Sequence, residues 1–96
     1  MEENFGIASF RSRQQVMRFE GALKRAGVPA SIITTPRSVA IGCGLSVRFD
    51  LDDVRDVRDV FAVERPGNLI GFYRVHREEG GRTVCTPLGV ETPYNG

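Results

Sequence analysis

The strongest constraint on this chain is a helix with a hard stop. Val16, Phe19, Leu23 and Ala26 recur at intervals of three and four, which puts them on one side of an α-helix, while Arg18, Lys24 and Arg25 point elsewhere. Ser12 is placed to cap its start, and Gln15 three residues on completes the pattern of a capping box. Gly27 then ends the helix in a left-handed conformation, Val28 folds back on the last turn, and Pro29 forbids continuation. Such a helix has an apolar face that must be covered, so the rest of the chain has to supply a layer against it.

A second stripe follows in Val54, Val57, Val60 and Phe61, with Asp50 as its expected N-cap and Asp53 in the first turn, where carboxylates favour the positive end of the helix. The repeated Asp-Val-Arg triplets leave Arg55 and Asp59 on the wet side, and because their signs alternate and cancel they read as a solvated face. Around the helices lie β-prone runs: Phe5 to Phe10, Ala30 to Thr34, Leu45 to Phe49 and Leu69 to His76. Between the second and third of these, Thr35 and Pro36 suit either a single helical turn over Pro36 to Ala40 or a plain loop. After the fourth, a turn at Glu79-Gly80-Gly81 and the run Thr83-Val84-Cys85 suggest a hairpin return, and the closing TPYNG is expected to fray.

The order strand, helix, strand, strand, helix, strand predicts an α+β domain of ferredoxin-like βαββαβ plan. Its four-stranded antiparallel sheet would carry both helices on one face, with an extra C-terminal strand or hairpin. The expected division is a domain over residues 1–77 and an extension over 78–96. A length of 96 residues suits one core. Thirteen basic residues against twelve acidic ones supply no surplus for nucleic acid, and no apolar run approaches bilayer-spanning length. The opening MEENFG lacks the features of a secretory signal, which makes the cytoplasm the expected compartment. With His76 the one histidine and no Cys-x-x-Cys spacing, neither a metal site nor a cofactor is expected.

Chemistry concentrates at Gly42-Cys43-Gly44. A thiol between two glycines has unshielded backbone on both sides, so amide N–H groups can approach a sulfur anion. Arg37 shares its loop and is the expected cation for a thiolate, whereas Arg48 alternates to the side opposite Leu45, Val47 and Phe49. His76 lies in the fourth strand without an obvious partner, which disfavours thiol-dependent hydrolysis. Cys43 also fits a small buried residue in a glycine-rich bend, and Cys85 either a packed strand residue or a resolving thiol. A redox pair of the two would need Cα atoms within about 7 Å.

The layout from Phe5 to Ala62 resembles a small bacterial domain family described as selenium/sulfur carrier protein-like. The resemblance is carried by Phe10 closing the first strand, Leu23 with Gly27 at the helix end, Pro36-Arg37 after the second strand and Cys43-Gly44 before the third. It implies a cysteine that accepts sulfur or selenium as a persulfide or selenenylsulfide and hands it on, a role that falls on Cys43. Arg37, Gly42 and Gly44 would then bind and stabilise the anion. The implied partners are a protein donor such as a cysteine desulfurase and a protein acceptor, and the chain is expected to be a carrier rather than a turnover enzyme. The alternative is a non-catalytic ligand-binding or regulatory module of the same fold, a homodimer through a sheet edge, whose loop from Pro36 to Gly44 binds a small anion.

Overall fold

A computed structural model describes residues 2–39 and 42–88. The chain folds as β1 (Glu3–Phe10), α1 (Arg13–Arg25), β2 (Ala30–Thr34), β3 (Leu45–Phe49), a short 3-10 turn (Leu51–Asp53), α2 (Val54–Glu64), β4 (Leu69–Arg77) and β5 (Thr83–Pro87). The strands form one sheet in the order β2-β3-β1-β4-β5, and every neighbouring pair is antiparallel. The α+β class is as expected, but the sheet has five strands rather than four. The Thr83 run is an integral edge strand, because Val84 and Cys85 stand opposite His76 and Val75. The TPYNG segment lies outside the described residues.

Strand alternation sorts the side chains into two faces. Ala8 and Phe10 of β1, Val47 and Phe49 of β3 and Phe72 of β4 join Val16, Phe19 and Leu23 of α1 and Val57 and Phe61 of α2 in the main core. Edge-to-face ring contacts run through it from Phe10 to Phe19 (5.7 Å), Phe19 to Phe61 (5.8 Å), Phe61 to Phe72 (5.3 Å) and Phe72 to Phe49 (6.4 Å). Such pairs add to the burial of the rings themselves.

Helix α1 departs from its reading at both ends of the stripe. Ala22, not Ala26, is buried, because Ala26 is already the C-cap. Ser12 makes no side-chain cap bond, and the Gln15 Oε1 expected to take part in a capping box is buried without a hydrogen-bond partner among the described residues. The C-terminal stop is as expected: Gly27 has φ +81°, Val28 N–H donates to Leu23 O at 2.9 Å, and Val28 is buried. Asp50 precedes the 3-10 turn instead of capping α2, and its side chain makes no cap bond.

The helix-free face is also covered. Phe5, Ile7 and Val75 are buried there as a smaller cluster, with Ile33, Tyr73 and Cys85 against it. The guanidinium of Arg48 lies 4.0 Å from the centre of the Phe5 ring and that of Arg77 5.2 Å. The loop after β2 crosses the same face: Pro36, Arg37 and Ser38 share a hollow with Arg77, Gly81 and Thr83 of the β4–β5 hairpin. Its first residues form a β-turn closed by Val39 N–H to Pro36 O (2.9 Å), in place of a helical turn.

A chain of hydroxyls anchors this loop. Ser9 Oγ and Thr35 Oγ1 each lie 2.7 Å from Ser46 Oγ, and Ser9 and Ser46 are almost wholly buried. Thr35 thus ties the loop to the sheet rather than capping a helix. Ser46→Ala leaves two hydroxyls short of a partner, and urea denaturation is expected to show a loss of about 1–3 kcal/mol. An unchanged midpoint would mean that the chain of hydroxyls contributes nothing.

Candidate functional site

The loop closes at the mouth of β3, where glycine is required. Gly42 has φ +125° and Gly44 φ +86°, a region that L side chains rarely enter. The two differ in surroundings. A Cβ on Gly42 would lie 2.5 Å from Ile70 Cδ1 and 2.7 Å from Phe10 O, whereas one on Gly44 would meet nothing within 4 Å. Gly42 is therefore pressed against the end of β1, while Gly44 is open to solvent.

Cys43 between them is held by its backbone. Its N–H donates to Phe10 O at 3.3 Å, next to the register break of β1 against β4 at Ser9/Phe10, and Thr35 N–H donates to Gly44 O at 2.9 Å. The thiol donates to Leu45 O at 3.7 Å and packs against the helix-side core. Cys43 is half-buried, not fully exposed. Its own N–H is thus spent on the fold, which leaves the neighbouring backbone as the source of any donor to the sulfur.

The structure places the predicted partners of this thiol unevenly. Arg37 is exposed and turned to the hollow on the helix-free face, whereas Cys43 packs on the helix side, and among the described residues no hydrogen bond joins them. Arg48 is on the helix-free face, as its alternation predicts. Arg11 and Arg13, both exposed, flank Ser12 in the chain just beyond Phe10. Phe10, the backbone partner of Cys43, is two residues before Ser12, the N-cap of α1. The first turn of α1 contains no acidic residue, and the uncapped N–H groups there carry the positive end of the helix dipole. The available signal was Arg-Ser-Arg at a helix start, the reverse of the usual preference for acids.

Cys85 is remote from this site. It stands opposite Val75, which is opposite Phe5, while Cys43 is bonded to Phe10. Five residues along β1 and two strand spacings across separate the thiols by roughly 20 Å, well beyond disulfide reach. Both cysteines are free, so the two-cysteine switch is not available to this fold. His76 is satisfied near the far end of β1, with Nδ1 2.9 Å from Asn4 Oδ1. Among the described residues no three His, Cys, Asp or Glu side chains gather as metal ligands, and no helix is long and apolar enough to cross a membrane.

No curated protein and no solved structure matches the chain. The family described as "Putative Se/S carrier protein-like" does, over residues 5–67, a span that runs from β1 through α2 and includes the whole Gly42-Cys43-Gly44 loop, and the chain belongs to that family.

Proposed function

We propose that this protein is a chalcogen carrier in which Cys43 accepts one sulfur or selenium atom from a donor protein and passes it to an acceptor. The observation that carries the reading is the setting of Cys43: a thiol held by its own backbone between two positive-φ glycines, inside the segment that defines the family. Strands β1 to β4 with the two helices are read as a ferredoxin-like unit, extended at one edge by β5.

In the loading step the Cys43 thiolate attacks the outer sulfur of a donor cysteine persulfide, as a cysteine desulfurase would present it. A new S–S bond forms on Cys43, the donor S–S bond breaks, and the donor cysteine leaves as its thiolate, with no net oxidation. Handing on is the same exchange in reverse, with an acceptor thiolate attacking. A thiolate cannot donate to Leu45 O, so the reactive form releases that contact, and the start of α1, which follows shortly after the Phe10 that holds Cys43, supplies the positive end of a helix dipole on that side. Gly44, where an added Cβ would meet nothing within 4 Å, leaves room for a second chalcogen atom beside the backbone. The exchange belongs in the cytoplasm, where thiols stay reduced.

Intact-mass measurement after incubation with a cysteine desulfurase and either cysteine or selenocysteine, so that the donor presents the chalcogen as a persulfide or its selenium analogue, tests the reading. Wild type and Cys85→Ser are expected to gain one chalcogen atom and Cys43→Ser none. A gain that survives Cys43→Ser, or no gain on any of the three, overturns it.

A further inference from the structure

The helix-free face carries more cations than its carboxylates neutralise. Arg48 and Arg77 both pair with Glu3, at 3.7 Å and 3.5 Å, and so divide one carboxylate between them. Arg37 arrives from the loop, is exposed, and has no ion pair or hydrogen bond among the described residues. Arg37 and Arg77 line a hollow of about 390 Å³ with Pro36, Ser38, Gly81 and Thr83, and no acidic side chain lines it. Glu78 and Glu79 belong to the adjoining turn, where the Glu78 backbone bonds to Arg82 and Gly81.

We propose that this hollow is an oxyanion site that takes a phosphate group, free or esterified to a small organic molecule. Two guanidinium groups offer paired N–H donors whose spacing matches the oxygens of a phosphate, and the hydroxyls of Ser38 and Thr83 can donate to the remaining oxygens. Arg77 is pre-set for this work. Glu3 holds it from one side and the Phe5 ring supports it, so little side-chain freedom is lost when a ligand binds. The volume exceeds that of a bare phosphate and lies in the lower range of small-molecule sites, which leaves room for an organic body against Pro36. The site goes beyond the carrier reading and is independent of it, since it is on the sheet face opposite Cys43.

The test is an amide chemical-shift titration with inorganic phosphate and with ribose 5-phosphate, at ionic strength held constant with sodium chloride and with ribose as the neutral control. Saturable shifts are expected at Arg37, Ser38, Gly81 and Thr83. Arg37→Gln, in an exposed turn, should weaken binding about tenfold, the loss of a charge-assisted contact. Arg77→Lys should weaken it while keeping the charge opposite Glu3, and Cys43→Ser should bind as wild type. Tighter binding of ribose 5-phosphate assigns the site to an ester and equal binding to free phosphate, and both support it. Absent or unsaturable shifts, equal shifts with ribose, or unchanged affinity in Arg37→Gln overturn it.

Discussion

Replacing Gly42 by alanine is expected to cost about 3–4 kcal/mol and to lower the melting temperature by about 15 °C or more. Two effects add. The backbone at φ +125° is strained for any L side chain, and the new methyl would overlap the carbonyl oxygen of Phe10, a backbone atom of the central strand that cannot swing aside. Gly44→Ala is the internal control. It has a similar backbone problem and no collision, so about 1 kcal/mol is expected. Thermal unfolding of the two variants beside wild type reads the difference directly. Equal losses would mean that the loop relaxes around position 42 and that its contact with β1 is not what fixes Cys43.

Phe19→Ala is expected to be at least as damaging, about 4 kcal/mol, which is a large part of the 5–15 kcal/mol typical of a domain. Phe19 has no solvent exposure and touches the rings of Phe10 and Phe61, so its removal opens a cavity between α1, α2 and the sheet and breaks two edge-to-face contacts. Phe19→Leu, which keeps most of the volume, should cost less than about half as much. Urea denaturation gives both values. A small loss in the alanine variant would show that the helices can close over the gap, and the chain of rings would then be an accident of composition.

The sequence made the helices legible because each announces its covered face by spacing and its end by chemistry. Gly27-Val28-Pro29 left one physical outcome, and the structure has it. Caps were less legible. Ser12 and Asp50 are of the right type, yet neither side chain bonds to its helix, because a cap depends on a rotamer that the local sequence does not determine. At the candidate site the two glycines were legible as a bend, since positive φ is what glycine permits. Which cations would surround Cys43 was not. Arg37 is close to it along the chain, but the excursion of the loop across the helix-free face carries it away. The end of β1 and the start of α1 come to Cys43 only because β3 lies beside β1, and strand order is a long-range property.

That strand order also shapes how the chain must fold. β1 is the middle of the sheet, bonded to β3 on one side and β4 on the other, yet it precedes both in the chain. During synthesis it has to wait, carrying Phe5, Ile7 and Phe10, for β3 to pair one edge and then for β4 to pair the other. Local hairpins form quickly and distant pairings slowly, so the docking of this strand is the step expected to be slow, and the one at which its apolar residues would be exposed to other chains.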